Sequence, residues 1–184
     1  GGSVSRPLGT DTLGRDVTSR LLYGARVSLV VGFSAVLLAG GLGVVLGLLA
    51  GYYRGWLDDG LMRLGDIQLA FPVLVLAVAV LAVLGASVLN VVIVLGATGW
   101  ITYARIVRGE VLSLREREFV AAARALGAGD GYIMGRHLLP NVLPPITVVA
   151  TFSVARTIIA EASLSFLGLG IPAPAPSWGA MLDE

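Results

Sequence analysis

Long apolar runs alternate with short polar connections along this chain, and their spacing predicts four membrane-crossing helices at about 27–51, 67–89, 88–108 and 141–161. A helix rises about 1.5 Å per residue, so about 20 apolar residues cross a hydrocarbon core about 30 Å thick. Residues 1–26 are polar, with Pro7, Gly9 and Gly14 as breakers, and form an arm outside the membrane. Residues 27–184 form a transmembrane domain interrupted by a polar segment at 109–140. The expected fold is an all-α polytopic transmembrane helical bundle.

Within this frame local signals set expectations for each element. Asp16 caps a short helix over 17–23. In the first span Ala35, Ala39, Gly43, Gly47 and Gly51 recur every four residues, line one face and let a second helix backbone come close. Tyr52, Tyr53 and Trp56 suit an interfacial aromatic belt on a polar connection over 52–66. Pro72 removes a backbone donor and kinks the second span. Gly85, Ala86 and Ser87 break the chain before the third span, and Asn141 caps the fourth, with Pro144 and Pro145 in its first turn. The tail over 163–184, with Gly168, Gly170, Pro172, Pro174 and Pro176, is a loop outside the bilayer.

Composition sharpens this picture. Of 184 residues 56% are hydrophobic and 14% charged, and the mean hydropathy is +0.87, far from a soluble domain. The 13 basic residues are all Arg, Cys is absent and His137 is the one histidine. The chain therefore offers no phosphate-loop lysine, thiolate nucleophile or Cys/His metal cluster. No cofactor, no metal and no nucleic acid is expected, and the chain is not an enzyme. Any nucleotide hydrolysis must come from a separate polypeptide. With four spans, one face carries Arg54, Arg63, Arg105, Arg108, Arg115, Arg117, Arg124 and Arg136 and the other Arg6, Arg15, Arg20 and Arg26, which places the polar segment in the cytoplasm. No charged leader precedes an apolar core at Gly1, so no signal peptide is expected, and the polar ends suggest a fragment.

The polar stretch over 114–141 is the segment offered to a partner. Phe119, Ala122, Ala123 and Leu126 fall at i, i+3, i+4 and i+7, one stripe of an amphipathic helix that Gly127 ends. Asp130 caps a second helix over 131–139, and Pro140 and Asn141 turn the chain back toward the membrane. Small residues over 121–129 let another protein's groove close on the backbone, and Arg115, Glu116, Arg117 and Glu118 form a charged rim. An amphipathic elbow lying in the lipid interface fits the same pattern.

The segment resembles the EAA loop of ABC-transporter permease subunits: Glu-Ala-Ala, three residues, Gly, nine residues, Ile, one residue, Leu-Pro. Ala122, Ala123, Gly127, Leu139 and Pro140 match, while Ala121 replaces the glutamate and His137 the isoleucine. Pro7 to Asp11, Leu13 to Asp16, Leu21 to Arg26, Phe71-Pro72, Val111 to Glu118, Glu161 to Gly170 and Pro176 to Gly179 are similar to the C-type permease of dipeptide, oligopeptide and nickel importers. The resemblance implies a type I ABC importer permease (MetI-like) core in a bacterial or archaeal inner (plasma) membrane. It also implies a second homologous permease subunit, two ATP-binding subunits and an extracytoplasmic solute-binding protein. The arm becomes extracytoplasmic and 109–140 a cytoplasmic coupling loop, with Glu116, Arg117, Phe119, Ala122, Ala123, Leu126, Gly127 and Asp130 as the ATPase-docking set. Family members carry more spans than these four, which implies one before Gly1 and one after Glu184.

Other residues stay open between two roles. Arg156 and Glu161 each cost about 2.5–3.5 kcal/mol if left facing lipid. They lie about 140° apart around a helix, so they line the translocation path, face a partner or serve structure rather than pair with each other. Thr98, Trp100 and Tyr103 line the path or pack. Asp11 and Asp16 lack the alternating ligands of a calcium loop and suit a turn and a cap. His137 at a helix end is structural or a pH switch. An ion-coupled secondary transporter or channel is the rival reading, but it needs mid-membrane ionisable residues that the first three spans lack.

Overall fold

A computed structural model describes residues 7–172 and 175–182, so Arg6 and Pro174, named above, lie outside it. The described residues form helices α1 (Val17–Tyr53), α2 (Gly55–Leu69), α3 (Val73–Leu84), α4 (Val88–Leu114), α5 (Glu118–Ala125) and α6 (Asp130–Tyr132). A π-helical stretch (Ile133–Leu138) then leads into α7 (Leu139–Phe166), and α8 (Trp178–Leu182) closes the order. Among the described residues three helical runs are long and apolar enough to cross a membrane, or four if α2 and α3 count as one broken span. The chain is thus an all-α polytopic protein. It divides into two compact units, residues 1–35, 73–95 and 154–184 in one and 36–72 and 96–153 in the other.

Several boundaries differ from expectation for identifiable reasons. Asp16 does cap α1, accepting from the Ser19 amide at 3.0 Å, but no breaker follows Tyr23 and the expected short helix runs on to Tyr53. The 52–66 connection is largely helical, and Pro72 separates α2 from α3 rather than kinking one helix. The missing proline N–H and its restriction of the preceding residue together end α2. The expected third span continues to Leu114, because nothing in 105–114 breaks a helix. Pro140 and Asn141 do not turn the chain: the helical run is continuous from Asp130 to Phe166. The wider π turn before Pro140 relieves the clash that a proline ring makes with an α turn. Asn141, expected as a cap, donates its amide to the His137 carbonyl at 2.7 Å.

In the first unit Val31 and Ala35 of α1, Ala77 and Leu81 of α3, Val91, Val94 and Leu95 of α4, Leu164 of α7 and Ile171 form a buried apolar cluster. Ser87 and Asn90 close the α3–α4 turn, the Ser87 hydroxyl accepting from the Asn90 amide and the Asn90 side chain donating to the carbonyls of Leu84 and Gly85. The arm folds on Asp11, whose carboxylate accepts from the amides of Leu13 and Arg15 at 2.9 Å and from the side chains of Arg15 and Arg20.

The second unit is organised by the small-residue face of α1, which meets α4. A Cβ on Gly43 would stand 2.5 Å from the Trp100 carbonyl, one on Gly47 2.6 Å from that of Ala104, and one on Gly51 2.8 Å from the Val111 Cβ. No side chain fits there, so hydrogen at these positions is what permits the approach. Across α4 lies α2, with a Gly65 Cβ position only 2.1 Å from Ile101 and Asp58 buried. Asp58 takes both nitrogens of the Arg108 fork, the Nη2 contact being 2.7 Å, and Asp66 pairs with Arg105. Trp56, Leu64 and Ile67 are exposed, an inside-out pattern relative to a soluble amphipathic helix.

Gly47→Leu is expected to destabilise the detergent-purified chain by about 1–3 kcal/mol, read as a lower unfolding midpoint. Gly41→Leu, also in α1 with no neighbouring atom within 4 Å, should leave stability unchanged or raise it. The arm has a pH limit. Desolvation raises the Asp11 carboxyl, but the hydrogen bonds from Arg15, Arg20 and Leu13 outweigh it and hold the pKa at about 2 against 3.8. The depressed value makes the arm's order complete above pH 3.8 and lost as pH falls toward 2. Exchange of the Leu13 and Arg15 amides should accelerate beyond its intrinsic pH dependence only in that window.

Candidate functional site

The polar stretch folds as a helical hairpin whose local rules are visible in its residues. Arg117, in extended conformation, precedes α5, and Glu118 stands in the first turn, where its charge complements the helix N-terminus. The far end is a Schellman motif: Gly127, at φ +83°, donates to the Arg124 carbonyl at 2.9 Å, and Ala128 donates to that of Ala123 at 3.0 Å. Val120 is fully buried and anchors one face of α5. Phe119, Ala122 and Leu126 are exposed, Leu126 to 88%, so the expected stripe points away from the protein. Ala121, Arg117 and Glu118 are exposed beside it and Ala123 is half-buried.

The hairpin is tied to the end of α1 by a set of polar contacts. Asp130 does not cap the second helix: Gly129 occupies the cap position, and the Asp130 carboxylate accepts the Tyr52 hydroxyl at 2.6 Å. From the other arm the Arg124 guanidinium carbon stands 5.3 Å over the Tyr52 ring. Arg115 donates to the carbonyls of Gly51 and Tyr52, two of the acceptors that the C-terminal turn of α1 leaves without helical partners. Glu116 forms an exposed ion pair with Arg54 at 3.7 Å, at a residue with φ 59°. His137 packs in an aromatic group with Phe119 and Tyr132. Tyr52 thus does more than sit in an interfacial belt, and its one mark in the sequence is its place one residue past the small-residue face.

The path candidates fall in different surroundings. In the second unit Thr98, Trp100 and Tyr103 are buried, Gln68 of α2 donating to the Thr98 carbonyl and accepting the Trp100 indole N–H at 2.9 Å. In the first unit Arg156 is exposed on α7, whereas Glu161 is fully buried. The Ser28 hydroxyl donates to Glu161 at 3.1 Å and the Ser165 hydroxyl at 2.7 Å. Ser28 in turn accepts from the Trp178 amide, and Ser165 from the Ile171 amide and the Ser177 hydroxyl, so both protons are directed at the carboxylate. The tail is thereby folded in rather than free. A Cβ on Gly179 would stand 2.5 Å from the Ala162 Cα, one on Gly170 1.9 Å from the Ser165 hydroxyl, and the Trp178 indole N–H donates to the Leu21 carbonyl at 3.1 Å. Glu161 holds structure together here, and no residue group able to bind a metal is found among the described residues.

Residues 43–184 match the family described as "Binding-protein-dependent transport system inner membrane component". All 184 residues align with the dipeptide transport system permease protein of Alkalihalophilus pseudofirmus at 48% identity, covering 60% of that protein. They align with the glutathione transport system permease proteins of Pectobacterium atrosepticum at 46% and Escherichia coli O157:H7 at 47%, covering 61% of each. The chain thus spans about three fifths of the length of these relatives.

Glu161→Leu strands two buried hydroxyl donors and is expected to cost about 2–4 kcal/mol, with faster hydrogen exchange at the Trp178 and Ala180 amides. Glu161→Gln keeps one acceptor oxygen and should lose less than half as much.

Proposed function

This chain belongs to the family of binding-protein-dependent transport system inner membrane components, and from that premise we propose that it is a permease subunit of an ATP-driven ABC importer for small peptides. It forms part of the translocation path in a prokaryotic inner membrane, beside a second homologous permease. One of two ATP-binding subunits docks on its cytoplasmic coupling loop over 109–140, and an extracytoplasmic binding protein delivers the solute. The dipeptide and glutathione relatives support a peptide-sized cargo. The chain performs no catalysis in this reading: it makes different contacts in inward- and outward-open states, and the ATPases supply the difference in free energy.

The observation that carries the docking claim is the outward apolar stripe of α5. Phe119, Ala122 and Leu126 are exposed on a helix whose opposite side is anchored by the buried Val120 and whose C-terminus is closed by Gly127. A short helix that exposes its large apolar side chains on a rigid mount suits burial in a partner groove. Ala121 offers no charge, so shape and the rim of Arg117, Glu118 and Arg124 give the grip its orientation. Arg156, exposed on α7, and the Gln68, Thr98 and Trp100 group are the residues assigned to the path or the partner permease. Glu161 is assigned to structure.

Full-length protein carrying Ala123→Cys should cross-link, in native membranes, to a co-purifying ATPase, and the reconstituted complex should accumulate glycyl-leucine or glutathione only with ATP and binding protein. Failure to cross-link at Ala123 and at neighbouring exposed positions sinks the docking claim, and ATP-independent uptake sinks the importer.

A further inference from the structure

We propose that Tyr52 is a strut that makes the docking hairpin and the C-terminal end of α1 move as one body, so that displacement of the hairpin is delivered to the α1–α4 seam. The inference rests on the docking reading for its purpose, but its geometry stands apart from it. Tyr52 is 5% exposed although it lies at the polar end of a span-length helix. Both arms of the hairpin hold its side chain, Asp130 at the hydroxyl from one side of the Gly127–Gly129 turn and Arg124 over the ring from the other. Arg115, just before the hairpin, holds the carbonyl of the same residue. One turn back on α1, Leu48 and Gly47 are buried, and a Gly51 Cβ would collide with Val111.

The physical consequence is a continuous stiff path. A hinge between α5 and α6 is invited by Gly127, Ala128 and Gly129, of which the two glycines have open space around them. Unsupported, such a turn would let a partner's push bend the hairpin instead of moving the helices behind it. A charge-assisted hydrogen bond to one arm and a cation–π contact to the other remove that freedom. Immediately beyond, Arg54 and Gly55 adopt φ 59° and 61°, so the chain leaves α1 at a sharp break and α2 does not share the load through continuous helix. Tyr52 is accordingly a positioning residue: it touches neither solute nor nucleotide and acts through Asp130 and Arg124.

The test places spin labels at Val45→Cys on α1 and Ala125→Cys on α5 in the full-length permease within its assembled complex. Their distance distribution is read without nucleotide and after trapping with MgATP and vanadate, alongside ATP hydrolysis and the Ala123→Cys cross-link. With Tyr52 present a single narrow distribution should persist in both states. In Tyr52→Phe it should broaden or split between them, while hydrolysis stays within about twofold and the ratio of solute imported to ATP consumed falls about tenfold, the size of effect a hydrogen bond to a charged group sets. The Asp130→Ala distribution should broaden or split in the same way, that of Asp130→Asn, which keeps an acceptor oxygen, should not, and that of Tyr52→Phe with Asp130→Ala should be no broader than that of either alone. An unchanged distribution in both Tyr52→Phe and Asp130→Ala overturns the strut, as does loss of the ATPase cross-link in Tyr52→Phe, which would mean that Tyr52 only maintains the docking surface. Absence of the cross-link in the parent overturns the docking reading instead, and the strut is then decided by the distribution in the ATPase-free chain.

Discussion

The contact on which the second unit depends is the close approach of α1 to α4 over Gly43, Gly47 and Gly51. In lipid no hydrophobic force drives helices together, so van der Waals contact over a face without side chains must do so. At each of these glycines a Cβ would fall within 2.8 Å of an α4 atom, and at two of them an atom that close is backbone, which cannot move aside. That approach sets the register of everything at the polar end. It brings Val111 against Gly51, so that Arg115, four residues on, reaches the last carbonyls of α1. It also fixes Tyr52 where Arg124 and Asp130 close on it.

A second constraint follows from burying polar groups among helices of this kind. Asp58 is tolerable in α2 because Arg108 of α4 answers it, and Gln68 is tolerable because it exchanges hydrogen bonds with the Thr98 carbonyl and the Trp100 indole. In the first unit Glu161 is tolerable because two hydroxyls donate to it, and those hydroxyls are oriented by amides of the returning tail. Unpaired, any of these groups would cost more than its partner contributes. The short motifs Leu21 to Arg26, Glu161 to Gly170 and Pro176 to Gly179 meet there: Gly24, Gly170 and Gly179 leave room for the backbone, and Ser28, Ser165 and Ser177 carry the hydrogen bonds.

The hairpin combines a rigid mount with an adhesive outer face. Its apolar stripe is outward because the inward position is already taken by Val120 and by the tie to Tyr52. A helix of eight residues would not hold its shape in water alone, so the Schellman closure at Gly127 and the contacts to α1 supply what its length cannot.

The sequence by itself determined whatever depends on one helix's own period or on a single residue's conformational range. The four-residue repeat from Ala35 to Gly51, the stop at Gly127 and the cap at Asp16 are of this kind, while of the stripe of Phe119, Ala122, Ala123 and Leu126 all but the half-buried Ala123 are exposed. Tertiary structure alone decided which distant residue each face would meet. Tyr52 with Asp130, Asp58 with Arg108, and Ser28 with Glu161 and Trp178 are separated by 50 or more residues, so no local periodicity connects them. The helical state of α2 belongs with these, since its polar residues read as a connection until Arg108 of α4 stands opposite the buried Asp58. The unbroken run through Pro140 does too, because a wider turn absorbs the ring that local rules expect to end the helix.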